Sequence, residues 1–251
     1  VFYQVRPDNL GLYVELGLTL LKFGEEARVR LADFSLDGKA RKTMRNNVNR
    51  LEREGYRFEV IEPAAVPALL PQLRPAFRCL ARRAKNSREK GFFAGIFQRR
   101  LCVQPGRGCR RLARCTRRWH SPISGKAGGC ELSVDLMRYP PDSPNGLMDY
   151  LFIQTMLWGR TQGYEWFNLG MAPLAGLQNR SFAPLWNRFG ALVFGGGETF
   201  YNFRGLHQYK DKFSPEWEAR YLAAPGGLIL PRVLSDLTAL IAGGFRGVIG
   251  K

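Results

Sequence analysis

The sequence is short of acid and almost without histidine. Its 251 residues hold 21 Asp or Glu against 38 Lys or Arg, a formal charge of +17, and only His120 and His207. Two histidines leave little room for histidine-based general base chemistry, which is not expected. No stretch approaches the roughly 18 uncharged apolar residues a membrane span requires, and no basic segment followed by an apolar core opens the chain. The chain itself is therefore expected to be soluble and cytoplasmic. No Met precedes Val1, and the chain opens inside a strand-like stretch, so an excised piece of a longer protein is expected. What is present in quantity is apolar: 45% hydrophobic residues exclude a disordered tail or a coiled coil. At this length a core needs no disulfide or structural metal.

The charge is uneven. Residues 90–130 contain ten Lys or Arg and no acid, together with Cys102, Cys109, Cys115 and Cys130, four of the five cysteines. The run CRRLARCTRRWH at 109–120 has neither strand alternation nor helical periodicity. A zinc site from Cys102, Cys109, Cys115 and His120 lacks the paired Cys-x2–4-Cys knuckles of structural sites. A basic nucleic-acid arm is chemically sound, because clustered Arg neutralises phosphate. A local reading-frame slip is the third reading, and it accounts for the loss of every acid between well-patterned flanks.

Elsewhere the pattern alternates between strand and helix. Residues 2–5 and 57–61 read as strands, and 24–26 as an acidic turn after a stretch of strand and helix pieces. Ser35 or Asp37 is positioned to cap a helix from about Gly38, with Ala40, Met44, Val48 and Leu51 on its core face and Gly55 stopping it. Its other face carries Lys39, Arg41, Lys42, Arg45, Arg50 and Arg53, which is either a solvated face or a phosphate-binding one. Residues 63–85 read as helix broken by Pro67, Pro71 and Pro75. Residues 132–137 form a strand around Ser133 and Asp135. Ser143 or Asn145 then caps a helix burying Leu147, Tyr150, Leu151, Gln154, Leu157 and Trp158, which Gly163 ends. A strand at 165–169, a short helix at 182–189, a strand pair at 192–194 and 199–203, and an amphipathic helix through Val233, Leu237, Leu240 and Ile241 complete the pass. This order implies an α/β fold, with a mixed sheet.

Common catalytic signatures are missing: there is no Gly-x-Ser-x-Gly, Gly-x-x-x-x-Gly-Lys or His-Glu-x-x-His. The better constellation is SVDLMR at 133–138, where a strand ends on Asp135 and Arg138, at the end where open α/β sheets present ligands. A carboxylate there suits an ammonium group and a guanidinium fork suits phosphate or carbonyl oxygen; an ordinary salt bridge is the competing reading. A second cluster places Arg204, Lys210 and Lys212 among Phe203, Tyr209 and Phe213, either a phosphate- and base-contacting surface or core aromatics.

The motifs FYQV (2–5), GEEA (24–27), ADFSLDGK (32–39), SVDLMR (133–138), MDYL (148–151), FNLGMAPL (167–174), YNFRGL (201–206) and YKDKF (209–213) together resemble one family. It is the C-terminal catalytic region of the multiple peptide resistance factor, the aminoacyl-phosphatidylglycerol synthases, with the resemblance covering residues 1–97 and 131–244. The resemblance implies a tandem GNAT-like acyltransferase fold. Residues 1–56 would be the C-terminal part of a truncated first unit, with a basic helix at 38–54. Residues 57–251 would be a second unit, interrupted at 98–130, where the family has two alternating strands and this sequence shows no such pattern.

The resemblance further implies transfer of Lys or Ala from aminoacyl-tRNA to the glycerol hydroxyl of phosphatidylglycerol, giving a cationic lipid and resistance to cationic antimicrobial peptides. It would act at the cytoplasmic face of the bacterial membrane, behind an N-terminal transmembrane flippase domain, without cofactor or metal. Asp135 and Arg138 would orient substrate and Lys210 would stabilise charge as the third catalytic residue. Arg204 and Lys212 would bind substrate, and Lys39, Arg41, Lys42, Arg45, Arg50 and Arg53 would bind tRNA. An ester-to-alcohol transfer starts from an activated ester, so positioning and electrostatics carry much of the rate. The rival readings are a non-catalytic nucleic-acid-binding module and an acetyl-CoA-dependent GNAT N-acyltransferase; against the latter, the loop at 139–146 lacks a Gly-rich pyrophosphate cradle.

Overall fold

The computed structural model describes residues 1–61, 111–115, 119–124, 130–134, 143–173, 175–176, 203–230, 232–234 and 236–237. Mixed α/β structure is observed, in two compact units: Val1–Val29 with Asn168–Ala239, and Arg30–Phe167 with Leu240–Lys251. The expected elements at 63–85, 182–189 and 192–194 lie outside the described residues. Among the described residues no helix is long and apolar enough to cross a membrane.

In the first unit, strands β1 (Phe2–Val5), β2 (Thr19–Arg30), β7 (Trp166–Pro173) and β8 (Glu216–Ala224) lie in the order β1-β8-β2-β7. Helix α1 (Leu10–Glu15) follows β1, and helix α4 (Phe203–Asp211) precedes β8. β8 pairs antiparallel with both β1 and β2. The acidic segment at 24–26 is not a turn, as the pattern suggested. It lies inside the 12-residue β2, where a register shift between Lys22 and Gly24 lets the strand continue past Phe23. The register sets Glu26 opposite Glu218 and Gly24 opposite Arg220. β8 itself had no sequence signal strong enough to be read, because its buried face mixes Arg220 with Leu222 and Ala224.

The second unit pairs four strands antiparallel, β3 (Phe58–Ile61), β4 (Arg111–Cys115), β5 (Trp119–Ser124) and β6 (Glu131–Val134), in chain order. Strands therefore form at 111–115 and 119–124, where side-chain alternation had indicated none. Backbone pairing needs only extended residues with a partner ladder, and a two-residue periodicity is a sign of one-sided burial rather than a condition for the ladder.

Helices α2 (Lys42–Arg53) and α3 (Leu147–Thr161) pack together in this unit. α2 begins at Lys42 rather than near Gly38, so Ala40 is exposed outside it; Met44, Val48 and Leu51 form its buried face as expected. Neither Ser35 nor Asp37 caps it: the Ser35 hydroxyl instead accepts the Asp37 amide at 3.3 Å. Of the face expected for α3, Leu147, Tyr150 and Leu151 are buried while Gln154, Leu157 and Trp158 are only half-buried; Phe152, Ile153, Thr155, Met156 and Gly159 are buried instead. Gly159 is required by proximity, since a Cβ there would meet the Leu132 and Leu31 side chains at 2.7 and 3.1 Å. Gly163, at φ +79, ends the helix turn as expected.

The start of α3 is not capped by Ser143 or Asn145. Gly146 is its N-cap at φ +80, and α2 holds it: Asn47 Nδ2 donates to the Gly146 carbonyl at 2.7 Å, and Arg50 donates to the Asn145 carbonyl at 2.5 Å and to Asn47 Oδ1 at 2.9 Å. A Cβ on Gly146 would collide with the Asn47 amide. Gly146→Ala is expected to cost about 1–2 kcal/mol for the left-handed backbone and about 1 kcal/mol more for the displaced Asn47 bond, read as a lower urea midpoint at unchanged slope.

Candidate active site

Lys210 is a cation the fold has taken out of water. It lies in the last turn of α4 and is 5% exposed, and its ammonium donates to the carbonyls of Gly170 (2.8 Å) and Met171 (3.0 Å) on β7. Two consecutive strand carbonyls do not normally converge on one donor, because they point to opposite sides. Here Gly170 has φ +80, and the buried Asn168 accepts the Gly170 amide on its side-chain oxygen at 2.6 Å. The FNLGM stretch thus folds into a local kink that turns both carbonyls toward the lysine, a conformation suited to glycine.

Burial pushes the Lys210 amine down to about 8, against the pull of the Glu26 carboxylate, which favours the charged form. At neutral pH the residue is still a cation, yet one close to losing its proton. Among the described residues two of its three N–H donors are engaged, so one remains for a carbonyl or phosphate oxygen.

Glu26 is itself held in a chain of charges. Two carboxylates directly opposite across a strand pair repel, and Glu26 faces Glu218 in this way. Arg220, only 3% exposed at its side chain, bonds to Glu26 and at 3.0 Å to Glu218. Arg28 reaches Glu218 at 3.3 Å and Arg6 at 3.7 Å. These cations hold the Glu218 carboxyl below the usual carboxylate range although burial opposes them. A second tether fixes the chain after β7: Lys22 bonds Glu25 at 2.6 Å and the Gly176 carbonyl at 3.0 Å, and a Cβ on Gly176 would strike the Glu25 carboxylate.

The other candidates divide clearly. Asp135 and Arg138 lie outside the described residues; β6 ends at Val134, immediately before Asp135. Arg204 is in α4, its side chain outside the described set. Lys212 is exposed, its ammonium 4.3 Å from the centre of the Tyr209 ring. Of the six cations at 39–53, Arg45 is bound to the Leu36 and Gly38 carbonyls and Arg50 to the turn before α3, while Arg41 packs over Phe34 at 5.6 Å. Arg53 bonds the Asn49 carbonyl through Nε at 3.2 Å. Lys39 and Lys42 are exposed beside the first turn of α2, which has no side-chain cap and no acid. The charge chain of Arg220, Glu26 and Glu218 had no signature in the sequence, because it depends on strand register.

The family model for the C-terminal region of phosphatidylglycerol lysyltransferase matches residues 1–224. The chain is 37% identical over 224 residues to the phosphatidylglycerol lysyltransferase of Bacillus subtilis strain 168, covering 89% of this chain and 26% of that protein. It is 32% identical over 228 residues to the phosphatidylglycerol lysyltransferase of Staphylococcus aureus strain COL, covering 88% of this chain and again 26% of the relative. The chain thus spans about a quarter of the length of these relatives. The solved structure of L-PGS from Bacillus licheniformis superposes with a TM-score of 0.73 at 35% identity, over 96% of this chain and 72% of that one.

Arg220→Met is expected to leave Glu26 and Glu218 facing each other without the buried cation that bridges them, Arg28 and Arg6 reaching only Glu218, and to destabilise the fold by about 3–5 kcal/mol in urea unfolding. Arg232→Met, at an ion pair of 3.9 Å whose arginine is 82% exposed, is expected to stay within about 0.5 kcal/mol of the parent.

Proposed function

The chain belongs to the phosphatidylglycerol lysyltransferase C-terminal family, and from that premise we propose that it carries the catalytic region of an enzyme moving an aminoacyl group from tRNA to the glycerol hydroxyl of phosphatidylglycerol. The observation that carries this reading is the buried, chargeable Lys210 held on the FNLGM kink, in a chain whose relatives bear that name. The names of the relatives make lysine the first amino acid to test and alanine the second. In the full-length protein the region would work at the cytoplasmic face of the membrane, behind a membrane-spanning flippase domain, and the cationic lipid would repel cationic peptides. The tandem GNAT-like arrangement, with units at 1–56 and 57–251, is part of the same proposal.

The chemistry asked of the protein is modest. The amino acid arrives as an ester, and direct attack by a lipid hydroxyl exchanges one ester for another. Asp135 would hold the amino acid's ammonium group and Arg138 a phosphate or carbonyl oxygen. Lys210, with one donor to spare, would stabilise the oxyanion or the lipid phosphate, an electrostatic role worth more in a dry site than in water. Arg204 and Lys212 would add phosphate contacts.

For tRNA, the face of α2 offers unequal partners. Arg45 and Arg50 are tied to backbone carbonyls, whereas Lys39 and Lys42 lie at a helix start that has no side-chain cap and no acid in its first turn, where the dipole favours anions. They are the phosphate contacts we favour, with Arg41 and Arg53 next.

Incubating the chain with radiolabelled lysyl-tRNA and phosphatidylglycerol vesicles is expected to yield labelled lipid. Lys39→Ala with Lys42→Ala is expected to weaken tRNA binding and to lower the slope of log K against log salt by roughly 1–2. Tight, salt-dependent tRNA binding with no labelled lipid from either lysyl- or alanyl-tRNA would instead make the chain a nucleic-acid-binding module.

A further inference from the structure

Scarcity of histidine argued against proton transfer by imidazole, but the surroundings of His207 are built for it. His207 lies on α4, and its Nδ1 is 3.0 Å from Asp211 Oδ2, one helical turn on. The other oxygen of Asp211 accepts the Trp217 indole N–H at 2.9 Å. The indole of Trp217, on β8, stacks flat on the imidazole, with ring centres 4.1 Å apart and planes 4° from parallel. One carboxylate therefore holds two rings in a fixed plane.

An ordinary surface ion pair at i,i+4 is weak and loosely oriented. This one is oriented from two sides, by stacking and by a carboxylate whose second oxygen is anchored. A neutral imidazole that donates Nδ1–H to a carboxylate keeps its lone pair on Nε2, the arrangement by which a carboxylate sets a histidine's tautomer for base catalysis. Among the described residues Nε2 has no hydrogen-bond partner, and the side chain is 28% exposed, so it can be reached by a bound hydroxyl. Lys210 follows three residues later on the same helix.

We propose that His207 is the general base and acid of the acyl transfer, with Asp211 and Trp217 as its positioning residues. This rests on the transferase reading above. The glycerol hydroxyl of the lipid gives its proton to Nε2 as its oxygen forms a bond to the aminoacyl carbonyl carbon. The tetrahedral intermediate then breaks its bond to the terminal ribose oxygen, which takes the proton back from Nε2. The imidazole ends neutral and no other reactant is needed.

A general base accepts a proton only when it is unprotonated, so the transfer it assists is lost in acid. The charged groups on the elements that carry His207 and Trp217 are Arg204, Lys210 and Asp211 on α4, Lys212 in the turn after it, and Glu216, Glu218 and Arg220 on β8. Trp217 is paired in register with Ala27 of β2, between Glu26 and Arg28.

The test combines nitrogen NMR of the His207 ring with single-turnover transfer from lysyl-tRNA. The neutral ring is expected to carry its proton on Nδ1. His207→Ala is expected to lower the transfer rate by roughly 100-fold or more with little change in half-saturating lipid, to lose the acid limb of the pH profile, and to regain rate with added imidazole. Asp211→Asn is expected to give a smaller loss. A ring protonated on Nε2, or a His207→Ala chain within twofold of the parent with the same pH profile, overturns the proposal while leaving the transferase reading intact. A parent chain that transfers to no lipid overturns both.

Discussion

Two carboxylates forced to face each other across β2 and β8 set the terms for the rest of the first compact unit. The strand register puts Glu26 opposite Glu218, and that pairing is tolerated because Arg220 lies buried between them and Arg28 and Arg6 reach Glu218 as well. A buried ion network of this kind adds little net stability compared with apolar packing, yet breaking it strands a charge. What it secures here is an orientation: Glu26 is held where its charge acts on Lys210. The lysine is pulled one way by burial and the other by Glu26, and so keeps a proton that it can lose near neutrality.

The second compact unit shows the same economy in its basic helix. Arginines that read in sequence as one phosphate-binding face are divided by the structure between two tasks. Arg45 and Arg50 close carbonyls that would otherwise lack donors, including the entry to α3, which has no cap of its own. Lys39 and Lys42, which lack a rigid planar fork, stay exposed. This follows from the chemistry of the two side chains: a guanidinium satisfies several fixed acceptors at once, whereas an ammonium on a flexible stem suits a moving phosphate backbone.

The sequence was most legible where burial is one-sided. Met44, Val48 and Leu51 disclosed α2, and Leu147, Tyr150 and Leu151 disclosed α3. It was least legible where a polar residue is buried for electrostatic reasons. Arg220 interrupts the apolar face of β8, and Glu25 and Glu26 made a strand look like a turn. Helix starts were misplaced because Ser35, Asp37, Ser143 and Asn145 are good caps by type, yet α2 starts at Lys42 with no side-chain cap and α3 starts after Gly146, a glycine in the left-handed conformation. Lys210 stood out as a family residue, but its grip on the Gly170 and Met171 carbonyls depends on the left-handed turn at Gly170. His207 was discounted for rarity, and only the fold brings Trp217 onto it.

The most direct test of this account is titration of the Lys210 ammonium, followed by NMR of the labelled lysine side chain in the parent chain and in Glu26→Gln. A lysine whose proton is bound more weakly in the folded than in the unfolded chain makes the fold gain stability as pH rises from about 8 towards the ordinary lysine range near 10.5. The account predicts a midpoint at about 8 in the parent and a lower one in Glu26→Gln, because removing the carboxylate leaves burial unopposed. A midpoint in the ordinary lysine range, unchanged by Glu26→Gln, would contradict it.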